Sequence, residues 1–209
     1  MSADTTSQKE EALRQIDEIK AHLVDKQTFF PYNYRATYVW AVIATILTLV
    51  MVPTYEYSVL TGTLVTFVFI TIGFVTEGLM TKKVNRAYDI EECTLRQQFI
   101  MKNFLMLSLF GIVMSLVLAS SKLYVAIFLL WLFLCSMGYF SIGFVLNIKR
   151  FSQVAHFNIL ASTLLLGIGY FMHILEDKGT FLIVVQIFVI LGLAVMPSIV
   201  AWQQIQEEK

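Results

Sequence analysis

The sequence predicts an all-α fold: a polytopic membrane protein with six transmembrane helices in three hairpins plus an N-terminal cytoplasmic amphipathic helix. Three observations carry this. Charged residues make up 14% of the chain and apolar ones 57%, whereas a soluble domain carries about a quarter charged residues. The apolar residues form blocks of about 20, the length that crosses the hydrocarbon of a bilayer. Lys and Arg crowd onto alternate connections between those blocks. The formal net charge is zero, which argues against nucleic acid as a partner. Cys93 and Cys135, the two cysteines, are too few for a disulfide framework.

Residues 1–35 are the first unit. Ser7-Gln8-Lys9-Glu10 fits a capping box, in which hydroxyl and carboxylate each accept from a free N–H at a helix start. Ala12, Ile16, Ile19 and Leu23 then recur at helical spacing as one apolar stripe. Four basic and five acidic residues lie between Lys9 and Lys26. Helices that lie on anionic lipid are rich in Lys and Arg, so this stripe suits a protein surface, either the bundle itself or another chain. Nothing in this arm has the short apolar core and small-residue cleavage site of a signal peptide. Phe29-Phe30-Pro31-Tyr32-Asn33-Tyr34-Arg35 brings the chain to the bilayer, since aromatic and basic residues favour its boundary.

Residues 36–202 are the membrane domain. The first span covers Ala36 to Tyr55, and Pro53-Thr54-Tyr55-Glu56-Tyr57 turns the chain. The second covers Val59 to Met80. A polar connector from Thr81 to Lys102 follows, with five basic and three acidic residues. The third span covers Asn103 to Ser120, with a tight turn at Ser121-Lys122. The fourth covers Leu123 to Ile148 and the fifth Phe157 to Leu175. Glu176-Asp177-Lys178-Gly179 leads into the sixth, Thr180 to Trp202. No span carries a Pro or Gly-Pro pair that breaks it at mid-depth. Residues 203–209 are a cytoplasmic tail.

Basic residues set the orientation, because Lys and Arg stay on the cytoplasmic side. Lys9, Arg14, Lys20, Lys26, Arg35, Lys82, Lys83, Arg86, Arg96, Lys102, Lys149, Arg150 and Lys209 fall on one side of a six-span chain, leaving two of the 15, Lys122 and Lys178, on the other. Both termini are therefore expected in the cytoplasm, with the chain integral to a plasma or inner membrane. Ile72-Gly73-Phe74-Val75 and Ile142-Gly143-Phe144-Val145 suggest a weak parallel repeat, each closing a span ahead of a basic pair.

Glu77 is the one acid expected inside a span. Thr63, Thr66, Ile70, Gly73 and Glu77 share a helix face that is small and polar, hence turned inward. An intramembrane carboxylate is a functional candidate that can carry a proton or meet a cation. The blander reading has it snorkelling to the interface or pairing with Lys82 or Lys83. Gln186, in the middle of the sixth span, needs hydrogen-bond partners of its own. Small and polar stripes mark three other spans: Ser108, Gly111, Ser115 and Ala119; Ser136, Gly143 and Asn147; Asn158, Ser162, Gly169 and His173. Helix packing explains such stripes most simply, although a solute path would use the same residues. His173, Glu176 and Asp177 fall together near the outer face and are weak candidates for a metal. No paired-histidine spacing supports them, so neither metal nor cofactor is expected.

Signatures of hydrolases, phosphate-binding loops and zinc enzymes are absent. The leading expectation is a small integral membrane protein without enzymatic activity, acting through a cytoplasmic protein partner or as a homo-oligomer. Its contact surface would be Ile16, Ile19, Leu23, Lys82, Lys83 and Arg86. The alternative is a transporter or channel for a small solute or ion, with Glu77 and Gln186 on its path.

Overall fold

The computed structural model describes residues 32–88, 90, 93–146, 148–176 and 178–207. The expected arm helix, with Ile16, Ile19 and Leu23, lies outside the described residues. Six helices are each long and apolar enough to cross a membrane: α1 Tyr34–Tyr57, α2 Val59–Ala87, α3 Leu95–Ser120, α4 Tyr124–Val145, α5 Lys149–Phe171 and α6 Thr180–Glu207. At 1.5 Å per residue, even α4, with 22 residues, reaches about 33 Å, enough for a hydrocarbon layer of about 30 Å.

Six helix ends lie outside the spans read from hydropathy: α1 exceeds its span by two residues at each end, so that Pro53 to Tyr57, expected to turn the chain, is helix, and four others exceed theirs by five or more. α2 continues seven residues past Met80, to Ala87, and α3 begins at Leu95 rather than Asn103. The polar run from Thr81 to Lys102 is thus mostly helix, and the true connection is short. α5 starts at Lys149 and α6 runs on to Glu207. Polar residues end the hydrophobic run but not the hydrogen-bond ladder, which water leaves intact.

The short connection after α2 is closed by two amides. Asn85 Nδ2 donates to Gln97 Oε1 at 2.9 Å, and Gln97 Nε2 donates back to Asn85 Oδ1 at 2.7 Å. Both side chains are buried. The same Gln97 oxygen accepts the Thr94 N–H, and the Thr94 hydroxyl accepts the Gln97 N–H, a capping box for α3.

α4 is the central helix. Of its most apolar stretch 61% is buried, against 17% for α3. It packs on α3, α5 and α6, while α1 packs on α2 and α6. The third hairpin is therefore open: α5 lies chiefly along α4, its predecessor, and touches α6 only lightly. Leu60, Leu64, Phe67, Ile72, Val75 and Leu79 project from the outer face of α2 and are exposed, as a lipid-facing side requires.

Ion pairs fix which ends meet. Arg150 at the start of α5 holds Glu207 at the end of α6 at 2.7 Å, and Lys178 before α6 pairs with Glu56 at the end of α1. The tetrapeptides Ile72–Val75 and Ile142–Val145 occupy different levels: α2 runs 12 residues past Val75, whereas α4 ends at Val145. Only the second tetrapeptide therefore closes its helix.

α6 is not a plain helix. Residues Leu191–Val195 form a wider π turn just before Pro197. A proline has no N–H to give, and its ring presses on the carbonyl one turn back. Local widening relieves both problems and leaves carbonyls to be satisfied by other groups. Asn158 Nδ2 on α5 donates to the Gly192 carbonyl at 2.9 Å, and the Tyr139 hydroxyl on α4 donates to that of Leu193 at 3.4 Å.

Candidate functional site

Small residues let large rings into the interior. At Gly73 an added Cβ would lie 2.6 Å from the Trp40 ring, and at Gly111 one would lie 2.8 Å from Trp131. α1 thus lays Trp40 over α2, and α4 lays Trp131 over α3, where its indole N–H donates to Ser115 Oγ at 2.9 Å. In lipid, close van der Waals packing and such interhelical bonds replace the hydrophobic drive that holds soluble bundles.

These rings do not fill the space between them. A cavity of about 110 Å³ remains among α1, α2, α3, α4 and α6. Its aromatic wall is Tyr32, Trp40, Phe104, Phe128, Trp131 and Tyr139, and Glu77 is its acid. Thr48, Ser108 and Cys135 add a little polarity among aliphatic side chains. Among the described residues, Lys, Arg and His contribute nothing to the lining.

Glu77 sits on the inward face expected of it. Gly62, Thr66, Ile70 and Gly73 on that face are buried, and Glu77 itself is half-buried. Its partner is neither Lys82 nor Lys83. Trp40 Nε1 donates to Glu77 Oε2 at 2.7 Å. Among the described residues the ion pairs are Arg150–Glu207 and Lys178–Glu56, so Glu77 meets no base among them. The snorkelling and lysine-pairing readings both give way to this indole contact. Tyr32 lines the same cavity.

Neither family models, curated proteins nor solved structures yield a match to this chain. The site therefore has to be read from its own chemistry.

Gln186 is not part of the cavity wall. Its amide donates to the Thr48 carbonyl of α1 at 3.0 Å, while the Thr48 hydroxyl turns back to Ala44. It ties α6 to α1 behind the cavity. Lys82, Lys83 and Arg86 are exposed on the last two turns of α2. His173 and Glu176 are exposed after α5, Asp177 lies outside the described residues, and Glu56 is engaged by Lys178. Among the described residues no three His, Cys, Asp or Glu side chains gather as a metal would need. The small stripes serve contacts: Gly143 lies under the Ser152 backbone and Asn158 reaches the π turn. Sequence reading missed the aromatic wall, because Trp40 and Trp131 sit in apolar runs with no mark to separate inward rings from lipid-facing ones. The π turn had a signal, Pro197 inside the last span.

Proposed function

We propose that this chain is an integral membrane protein, of a plasma or inner membrane with both termini cytoplasmic, that takes a small solute into the cavity at Glu77, as a transporter, channel or receptor. The observation that carries the reading is an acid within an apolar helix that lines a cavity and meets no base among the described residues. A carboxylate kept at membrane depth without a counter-charge costs stability, and a ligand or transported charge is the usual return for that cost. The proposal involves no covalent chemistry.

The test is solute access. In lipid nanodiscs, with Trp202→Phe removing the outer indole, acrylamide should quench Trp40 and Trp131 well beyond the level of lipid-buried indoles. Ala44→Phe, which fills the cavity from α1, should abolish the excess. Quenching that Ala44→Phe leaves unchanged would sink the reading.

A second reading rests on Lys82, Lys83 and Arg86. Three exposed bases with no acid partner among the described residues, on a helix end tied down by the Asn85–Gln97 pair, suit an acidic cytoplasmic partner or a second copy. Replacing all three by Gln should then reduce co-purification or oligomer size without changing thermal stability.

A further inference from the structure

We propose that the cavity at Glu77 is a site for a small organic monocation: an ammonium group carrying methyl or short alkyl substituents, of about five heavy atoms. This rests on the preceding reading and names the class of solute.

The wall selects for charge first. Among the described residues one carboxylate and no base line the cavity, so an anion would meet repulsion there and a neutral molecule would leave the acid uncompensated. The rings select next. Trp40, Trp131, Tyr139 and Phe104 bring indole, phenol and phenyl rings to the same space, and aromatic rings attract a desolvated cation. Bare metal ions fit poorly. Calcium takes six or more oxygen ligands and magnesium demands near-octahedral geometry, but this wall is mainly aromatic and aliphatic. Size sets the limit. An apolar cavity of about 150 Å³ accommodates benzene, so about 110 Å³ suits a compact tetrahedral cation and excludes long-chain amines.

The geometry also shows why Glu77 is available. Trp40 holds Oε2 in place and both residues line the cavity, so the indole positions the acid while its side chain forms part of the wall. Orientation and cation contact come from one side chain.

The experiment titrates the full-length protein in nanodiscs with tetramethylammonium chloride and follows intrinsic Trp fluorescence, since Trp40 and Trp131 are in the wall. Sodium chloride at equal ionic strength and tert-butanol, a neutral molecule of like size, are the controls. Tetramethylammonium should give a saturable change that neither control gives. Glu77→Gln keeps an acceptor for Trp40 and should weaken the response at least tenfold with its melting temperature unchanged. Trp131→Phe should weaken it less. A response equal to that of tert-butanol, or one that survives Glu77→Gln at full affinity, would overturn the cation assignment. If acrylamide reaches the two indoles but tetramethylammonium does not bind, the solute reading stands and this one fails. If neither reaches them, both fail.

Discussion

At the scale of single residues, the Trp40–Glu77 bond makes the sharpest statement about stability. Removing the acceptor orphans an indole N–H away from water, and an unsatisfied buried donor costs about 1–3 kcal/mol. Glu77→Leu should therefore lower the melting temperature in detergent by several degrees, whereas Glu77→Gln should leave it near the wild-type value. Equal melting temperatures for the two would show that the bond does not matter to folding. Asn158 makes a parallel case. Asn158→Leu loses the bond to the Gly192 carbonyl, and interhelical bonds of this kind average about 0.6 kcal/mol in a membrane protein. A measurable but smaller drop is expected. Lys178 differs from both because it is exposed. The Glu56 carboxylate beside it, by hydrogen bonding first, holds its ammonium above the usual lysine range. A raised lysine favours the folded state at neutral pH and loses that effect as pH climbs through the raised value. Lys178→Met should thus flatten the stability profile only on the alkaline side, and in salt the effect should shrink further.

Among the elements, the α2–α3 connection carries the most specific design. Asn85 and Gln97 each satisfy the other's amide, so losing one orphans its partner. Asn85→Ala and Gln97→Ala should each destabilise, and the double variant should cost less than the two singles added together. Strict additivity would mean that the pair is incidental. Cleavage between Tyr88 and Thr94 by added protease should rise in either single variant, since the capping box shares the Gln97 oxygen. Thr94-Leu95-Arg96-Gln97 displayed this cap in the sequence. It was hidden by the charges around it, which read as a loop because hydropathy measures the thickness of lipid, not the length of a helix. The starts of α3 and α5 were lost for the same reason: Leu95 to Lys102 and Lys149 to His156 are polar turns that water tolerates.

Seen as a whole, the molecule was legible in its spans and only half legible in its site. Apolar blocks of membrane length announced six helices, and the lone acid in an apolar run announced Glu77. Which helices touch was not legible. A helix surrounded by lipid and helices is apolar on every side, so periodicity cannot say that α5 lies along α4 or that Trp131 faces α3. The proposed threading of the chain has a direct check in the native thiols. Cys93 is exposed in the α2–α3 connection and Cys135 is half-buried within α4. An impermeant maleimide added to intact cells should miss Cys93 and label a cysteine placed at Lys122. Labelling of Cys93 from outside would reverse the orientation.

The π turn in α6 has a consequence for how this chain can change length. A turn that bonds over five residues holds one residue more than a turn that bonds over four. Each residue of an α-helix advances the chain by about 100°, so everything after Val195 is rotated by that much against a plain helix. Val200 and Ala201 are buried, and Glu207 meets Arg150, because that extra residue is there. Deleting one residue between Leu191 and Val195 would change almost no composition and no hydropathy, yet it would turn the last helical segment's buried side toward lipid and carry Glu207 away from Arg150. This one turn behaves as a phase setting: the segment beyond it should accept many substitutions and no single-residue change of length.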